Sequence, residues 1–294
     1  MKMRKNLRLT LGALLFTVLI HVIFCMSPGS GKTEGQVGIG RVDTRLADMR
    51  PIESRLQLAA PFPIVIDQPG NYTLAKNLTV FTTGTCCIEI KADDVTLDLQ
   101  GNIITGPGSD GISNDASTGI GICAFGRKNI EIVNGTVQGF SCGISLSGKD
   151  HQVKGISTLY NRSCGIDAES SLIDNCRANY NGSDGIRADS STIINCTADF
   201  NGSCGLHVES STVIDCTAHS NGSHGLYAVD KCLLEGNIIL ENGGYGIYLD
   251  HDYSYAIKNV SSQNAAGNFH QTGVNYLPAS SAEVHDETNS ESID

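Results

Sequence analysis

The 294-residue chain contains no tryptophan, only 7 prolines and fewer basic than acidic residues. With 20 Lys and Arg against 31 Asp and Glu, its formal net charge is -11, which argues against a surface that binds nucleic acid. The scarcity of proline beside 33 glycines excludes a proline-rich linker and fits many tight turns. No segment shows a sustained helical hydrophobic period, so helical repeat folds are disfavoured.

The two ends of the chain differ in composition from its middle. Residues 1–26 join a basic start to an apolar run, the pattern of a signal peptide or an N-terminal membrane anchor. Residues 27–60 lack strand alternation and are predicted to be a linker, and the acidic residues 275–294 a disordered tail. Residues 61–274 are the predicted folded domain. We therefore expect a secreted or cell-envelope protein that contacts a membrane only through its N-terminal segment.

Six glycines recur at nearly constant intervals, and their spacings are 22, 20, 20, 20 and 21 residues. They are Gly143, Gly165, Gly185, Gly205, Gly225 and Gly246. Between them, apolar and polar residues alternate, as they do in β-strands. This pattern predicts a β-solenoid of about nine coils, in which residues one repeat apart lie on top of each other.

Some positions hold the same kind of residue in every coil, and these are predicted to face the interior. The columns are Ile166, Ile186, Leu206, Leu226 and Ile247; Ala168, Ala188, Val208, Ala228 and Leu249; Ile173, Ile193, Val213 and Leu233; Cys176, Cys196 and Cys216; and Asn161, Asn181, Asn201, Asn221 and Asn242. The asparagines are predicted to form a ladder of amide hydrogen bonds at a turn. The cysteines of the fourth column are predicted to be free, reduced and buried.

Several stretches carry a resemblance to a known superfamily. They are PIVIDQPGNYTLAKNLTV, IEIKADDVTLDLQGNIITG, IEIVNGTVQGFSCGISL and NVSSQNAAGNFHQTG. Together with the repeats, they resemble the right-handed parallel β-helix of the pectin-lyase-like superfamily, in particular a bacterial group within it. The resemblance implies an all-β, right-handed parallel β-helix with a period of 20–22 residues. It implies no single activity, because this fold carries lyases, hydrolases, epimerases and adhesins.

The chain has eleven cysteines, one of them in the leader. Cys142, Cys164 and Cys204 share a column directly before the repeated glycine, and only the first two are one coil apart. The vicinal Cys86 and Cys87 would point to opposite faces of an extended strand, so at most one is expected in the core. In an exported chain these residues are also candidates for disulfides, whose pairing the sequence does not define.

The variable positions of the repeat are predicted to face solvent, and they gather aromatic and charged residues on one sheet. Tyrosine rings stack on sugar rings, and charged groups hold sugar hydroxyls. We therefore predict a glycan-binding face, which would consist of Arg187, His207, His224, Tyr227, Tyr245 and Tyr248. The alternative is an ordinary solvated strand face, where tyrosine and charged residues are also common.

The stretch GYGIYLDHDYS, residues 244–254, places a histidine between carboxylates at the end of a strand. Asp250, His251 and Asp252, together with Arg187, are therefore the candidates for acid–base catalysis. The stretch partly resembles the Tyr-Gly-x-Asp-Pro-His-Asp/Glu motif of alginate C5-epimerases, with four residues matching in order: Tyr245, Gly246, His251 and Asp252. Tyr248 replaces the motif's Asp, the proline is missing and one residue is extra, which weakens this resemblance. A polar turn that closes the last coil is the alternative.

Outward carboxylates one coil apart repel each other, and a bound Ca²⁺ would relieve that repulsion. Glu169, Asp189 and Glu209 are the candidates for such a site. Two functional classes remain open. The first is a non-catalytic secreted or envelope protein that binds a polysaccharide or cell-surface glycan, or serves as a scaffold. The second is a carbohydrate-active enzyme, either a polysaccharide lyase or a C5-epimerase-like protein.

Overall fold

A computed structural model describes residues 49–51, 62–81, 86–108, 119–251 and 253–272. Within these ranges every regular element is a β-strand, and the strands build the predicted parallel β-helix. The described residues include no helix that is long and apolar enough to cross a membrane. The expected leader, the expected tail and most of the expected linker lie outside the described residues.

Three sheets form the walls of the β-helix. Sheet 1 has ten strands, in the spatial order β2 (Ile64–Ile66), β5 (Cys86–Ile90), β8 (Ile120–Lys128), β10 (Cys142–Lys149), β12 (Ile166–Glu169), β15 (Ile186–Asp189), β17 (Leu206–Glu209), β20 (Leu226–Val229), β23 (Tyr245–Asp250) and β26 (Gly267–Gln271). Sheet 3 has three strands, β19 (Thr217–His219), β22 (Ile238–Leu240) and β25 (Val260–Ser262).

Sheet 2 has thirteen strands, ten of them on one continuous path. These are β1 (Met49–Pro51), β3 (Gly70–Thr73), β6 (Val95–Asp98), β9 (Ile130–Gln138), β11 (His151–Leu159), β13 (Ser171–Asp174), β16 (Thr192–Ile194), β18 (Thr212–Ile214), β21 (Leu233–Glu235) and β24 (Tyr255–Ile257). The other three pair beside this path and are β4 (Leu78–Thr79), β7 (Ile103–Thr105) and β14 (Arg177–Asn179).

The number of coils agrees with the prediction, because nine steps separate β2 from β26 in sheet 1. From β8 onward, paired residues are 20 to 22 positions apart. The preceding coil is longer, since Ile88 pairs with Ile122, 34 positions later. The strict repeat period therefore belongs to the later coils only.

Strand β1 falls inside the stretch that was predicted to be a linker. Its residues Met49 and Arg50 pair with Asn71 and Tyr72 of β3, which extends sheet 2 before residue 61. Only three residues take part, and so short a segment has too little alternation to be recognised from the sequence.

The predicted interior columns are buried, with one exception. Val213 pairs with Leu234 rather than Leu233, and Leu234 is the buried residue of the two. The turn before it explains the shift: Asp230 and Lys231 both adopt a positive φ, at 47° and 43°. The corresponding turn of the preceding coil has a single such residue, Ser210. One additional turn residue moves the following strand by one position, which exchanges its two faces.

All but one of the cysteines in the described ranges are buried, and Cys142 is half-buried. At most one of Cys86 and Cys87 was expected in the core, and only Cys87 packs in the apolar core cluster. Cys86 is also buried, and it forms a disulfide with Cys123. The inward column contains free cysteines at 3%, 1% and 0% exposure, in the order Cys176, Cys196 and Cys216. The sulfurs of Cys196 and Cys216 each accept the backbone N–H of the cysteine in the coil before. These cysteines therefore link neighbouring coils in addition to filling the core.

The predicted asparagine ladder is present at the turn that leads into sheet 1 in each of the later coils. The amide Nδ2 of each asparagine donates to Oδ1 of the next one, over 2.9–3.1 Å. The ladder comprises Asn161, Asn181, Asn201, Asn221, Asn242 and Asn264. Each Oδ1 also accepts a backbone N–H from the coil before, donated by Phe140 to Asn161 and by the preceding ladder asparagine to the others. The buried amides therefore bond on both sides.

We expect two substitutions of neighbouring isoleucines in β16 to differ sharply in their effect on stability. Ile193 is fully buried, so Ile193→Thr places a hydroxyl in the core and should lower the free energy of unfolding by about 2–3 kcal/mol. Ile194 faces outward beside Asp174, and Ile194→Thr should change it by less than about 0.5 kcal/mol. Urea unfolding of both variants tests the register; equal losses would contradict it.

His151 occupies the first position of a second polar ladder, in which Ser171, Ser191 and Ser211 follow. Its Nδ1 accepts the backbone N–H of Ile130 at 3.4 Å, while its Nε2 has no partner in the described structure. The residue is 1% exposed, and burial lowers its pKa. The neutral imidazole is therefore the form that this interior accommodates.

The pKa of His151 in the folded state lies below the unfolded value of about 6.5. Below a pH of about 6.5 the unfolded state therefore binds a proton more readily than the folded state, and the free energy of unfolding falls. Above that pH, His151 should not affect stability through its titration. His151→Ser, which restores the residue of the following coils, removes that titration. We expect wild-type protein to lose more of its urea resistance than the variant between pH about 7.5 and about 5.5. Identical losses would show that His151 does not titrate on unfolding.

Candidate functional site

Sheet 1 presents two neighbouring columns of side chains on its outer face. One column alternates with the buried Ile and Leu residues and contains Cys123, Ser145, Asp167, Arg187, His207, Tyr227, Tyr248 and His270. The other stands directly before the repeated glycine and contains Cys142, Cys164, Asp184, Cys204, His224 and Tyr245. Parallel pairing keeps both columns aligned, so their side chains meet neighbours from the adjacent coils.

The C-terminal end of this face carries six aromatic and histidine rings in continuous contact. We call this the ring cluster; it consists of His207, His224, Tyr227, Tyr245, Tyr248 and His270. The Tyr227 and Tyr248 ring centroids are 5.3 Å apart, and His224 lies 4.8 Å from Tyr248. His270 extends the cluster by one coil, at 4.5 Å from Tyr245. All six rings are partly exposed, so a ligand can reach them.

Two carboxylates lie at the edges of the ring cluster and bond to its side chains. Asp184 Oδ2 lies 3.2 Å from His207 Nδ1, and Asp184 Oδ1 accepts the backbone N–H of Cys204. At the other edge, Asp250 Oδ2 accepts the Tyr227 hydroxyl at 2.8 Å, and its Oδ1 accepts the Thr272 hydroxyl at 2.7 Å. These bonds fix the orientation of His207 and Tyr227 before any ligand arrives.

The protonation states of the cluster follow from these contacts. Burial and the hydrogen bond to Asp250 raise the pKa of Tyr227 to about 12, so its phenol stays protonated. Burial and the neighbouring His270 lower the pKa of His224. Hydrogen bonds from Thr272 and Tyr227 lower the pKa of Asp250, which is therefore an anion at neutral pH. The face thus combines a protonated Tyr227 phenol with the ionised carboxylates of Asp184 and Asp250 at its edges.

The predicted glycan-binding residues are mostly brought together. Five of the six belong to the ring cluster, whereas Arg187 lies on the strand before His207, exposed and in register with Asp167. His270 was not predicted, although it stands 22 positions after Tyr248 and so continues the repeat. Thr272, which bonds to Asp250, was missed as well, because nothing in its sequence neighbourhood marks that contact.

The candidates for catalysis do not come together as a group. Arg187 is three strands away from Asp250, which places it about 14 Å further along the helix axis. His251 is exposed, adopts a left-handed φ of 65° and donates its backbone N–H to Asp250 Oδ1. Asp252 lies outside the described residues. Their roles in catalysis stay predictions.

The candidate calcium ligands are stacked as the repeat predicts. Glu169, Asp189 and Glu209 are exposed and pair in register on β12, β15 and β17. In the described part of the chain, however, no three His, Cys, Asp or Glu side chains gather closely enough to hold a metal ion. Calcium binding at this column stays a prediction that would require the carboxylates to converge.

A second row of exposed aromatic residues was not predicted. Tyr160, Tyr180 and Phe200 precede the ladder asparagines, and their rings stack with centroids 5.3 and 5.0 Å apart. Each adopts a left-handed φ of 53° to 57°, a conformation that bulky residues rarely take. Their nearly parallel rings stack on each other, and all three side chains remain exposed. The aromatic residue before three successive ladder asparagines is a signal that the sequence contained.

Comparisons with known proteins agree on the fold. A family model described as "Right handed beta helix region" matches residues 64–232 and 121–289, which confirms the predicted handedness and superfamily. No curated protein sequence matches the chain.

Solved structures similar to the chain include the periplasmic alginate epimerase AlgG, at 10% identity and a TM-score of 0.47, covering 78% of this chain and 83% of that one. The A-module of the mannuronan C-5 epimerase AlgE6 from Azotobacter vinelandii has 14% identity and a TM-score of 0.47, covering 74% and 76%. ORF18 of Geobacillus virus E2 has 13% identity and a TM-score of 0.54, covering 78% and 51%. Likenesses at such low identity concern the fold alone.

Proposed function

The chain belongs to the right-handed β-helix family, and on this scaffold we propose a non-catalytic binding face for a linear polysaccharide or cell-surface glycan, formed by the ring cluster. The observation that carries the proposal is the continuity of six partly exposed rings over four neighbouring strands, β17 to β26. A sugar chain lying along the helix axis would meet rings on each of these coils.

The rings supply the contact area, and the carboxylates supply orientation. A stacking contact contributes only about 1 kcal/mol, so useful affinity requires several rings at once. The hydrogen bonds of Tyr227 and His207 hold two of these rings in place, which reduces the entropy lost on binding. An extended ligand that spans several coils fits these requirements better than a single sugar.

Charge favours a neutral or weakly charged ligand. Asp184 and Asp250 lie at the cluster, and the whole chain has a formal net charge of -11. A strongly anionic glycan would be repelled unless a cation such as Ca²⁺ bridged the two. From the N-terminal pattern, we place this encounter outside the cell, on a secreted or envelope protein.

The same contacts disfavour Asp250 and Tyr227 as catalytic bases. Both carboxylate oxygens of Asp250 already accept hydrogen bonds, and a phenol with a pKa of about 12 rarely ionises at neutral pH. Arg187, another of the predicted acid–base candidates, is three strands away from Asp250. These features support binding without chemistry.

The double variant Tyr227→Ala/Tyr248→Ala should retain the thermal stability of the fold and lose glycan retention in affinity electrophoresis. Two stacking contacts at about 1 kcal/mol each correspond to a roughly 30-fold weaker affinity. The gels would contain neutral and acidic polysaccharides, with and without Ca²⁺.

A matched control is available in Tyr160→Ala/Tyr180→Ala, which removes two exposed tyrosines from the other aromatic row. It should leave retention unchanged. If both double variants lose retention equally, the ring cluster is not the binding face. If wild-type protein is retained by no polysaccharide, the face is a solvated sheet surface and the scaffold interpretation holds.

A lyase or C5-epimerase activity is the second candidate, and one observation favours it. Asp184 orients the imidazole of His207, with Arg187 and Tyr227 on the two adjacent strands. This groups an oriented imidazole, a phenol and a guanidinium along about 10 Å of the face. An oriented imidazole can take up a proton, a phenol can donate one, and a guanidinium can neutralise a uronate.

Incubation of wild-type protein with uronate polysaccharides separates the two candidates. Lyase action would appear as ultraviolet absorbance of an unsaturated product, and epimerisation as a changed uronate composition by NMR. We expect neither. A product that forms with wild-type protein and drops by about 100-fold or more with His207→Ala would establish the enzyme instead.

A further inference from the structure

Two free thiols face each other on the outer surface of sheet 1, upstream of the ring cluster. Cys142 and Cys164 occupy the same column on β10 and just before β12, and neither is in a disulfide. The N–H of Gly143 donates to the carbonyl of Cys164 at 3.2 Å, and Ile144 pairs with Ile166. Neighbouring strands are about 4.8 Å apart, within the Cα separation of about 4.4–6.8 Å that a disulfide spans.

Contact between the two thiols lowers the pKa of Cys164 and raises that of Cys142, which makes Cys164 the more acidic of the pair. The Cys142 thiol lies beside that of Cys164 and donates to the Ile144 carbonyl at 3.3 Å, and Ser163 Oγ lies 3.6 Å from Cys164 Sγ. Burial of Cys164 opposes the lowering of its pKa. Cys142 is half-buried and Cys164 is 9% exposed, so small reagents can reach the pair from solvent.

We propose that Cys142 and Cys164 form a reversible dithiol–disulfide pair, which links two adjacent coils covalently when it is oxidised. The inward column shows why the inference is specific. Cys176, Cys196 and Cys216 are also one coil apart, but they are 3%, 1% and 0% exposed. The same spacing therefore occurs twice in the chain, once within reach of solvent and once inside the core.

The oxidant is a small-molecule disulfide. The Cys164 thiolate attacks one of its sulfurs and releases one small thiolate, which leaves a mixed disulfide on Cys164. Cys142 then loses its proton and attacks Cys164 Sγ, which releases the second small thiolate. Two electrons pass from the protein to the small disulfide, and the two protein protons end on the two small thiols.

The test is equilibration of the full-length folded protein in buffers of reduced and oxidised glutathione, followed by acid quenching and peptide mapping. We expect a Cys142–Cys164 disulfide to appear as the buffer becomes oxidising and to disappear in excess reduced glutathione. The oxidised protein should melt about 5–10 °C higher, because the link closes a loop of about 20 residues. Cys142→Ser and Cys164→Ser should each abolish this shift.

The inward column is the internal control, and Cys176→Ser should leave the redox-dependent shift unchanged. Absence of the Cys142–Cys164 link at every buffer composition would overturn the proposal, as would equal formation of Cys176–Cys196 links. Should a serine variant unfold, the mapping on wild-type protein still decides. The pair does not touch the ring cluster, so the outcome is independent of glycan binding.

Discussion

The register between successive coils is the constraint on which the rest of this structure depends. Each coil has too little apolar area to fold alone, and it becomes stable by hydrogen bonding to the coils on both sides. The buried asparagine ladder enforces the register, because each amide donates to the next asparagine and accepts the backbone N–H of the coil before. A slip by one residue would break this ladder and turn the core residues towards solvent. The alignment of every outward column follows from the same bonds.

Much of the fold could be predicted because stacking converts a sequence repeat directly into a spatial column. The buried residues Ile166, Ile186 and Leu206 follow from their spacing alone. The failures occur where a coil departs from the repeat. An extra turn residue at Lys231 moves Leu234 into the core, and the short β1 has no repeat partner from which it could be recognised. The disulfide between Cys86 and Cys123 crosses the longest coil, where the period gives no alignment.

The candidate site was predictable as a set of residues but not as an arrangement. Backbone pairing alone determines which residues share a column, so the repeat correctly predicted that His207, Tyr227 and Tyr248 lie on one face. The contacts between columns depend on side-chain rotamers, which periodicity does not encode. This is why the hydrogen bonds from the Tyr227 and Thr272 hydroxyls to the Asp250 carboxylate could not be predicted. These bonds bear on function, because they occupy both carboxylate oxygens of Asp250, which the sequence had suggested as an acid–base candidate.

Because the coils stack, a residue type that recurs at one outward position of the repeat forms a column on the surface. One aromatic residue per coil becomes a continuous row, as in the ring cluster and in Tyr160, Tyr180 and Phe200. The two rows nevertheless differ. Tyr160, Tyr180 and Phe200 form a single nearly parallel stack on a tight turn, whereas the ring cluster stands on a sheet and combines stacked pairs, at 19° and 23°, with tilted ones. Stacked parallel rings cover each other's faces, whereas tilted rings leave part of their faces exposed to solvent. The geometry of the supporting backbone, rather than the number of aromatic residues, therefore determines how the rings of each row are oriented towards one another.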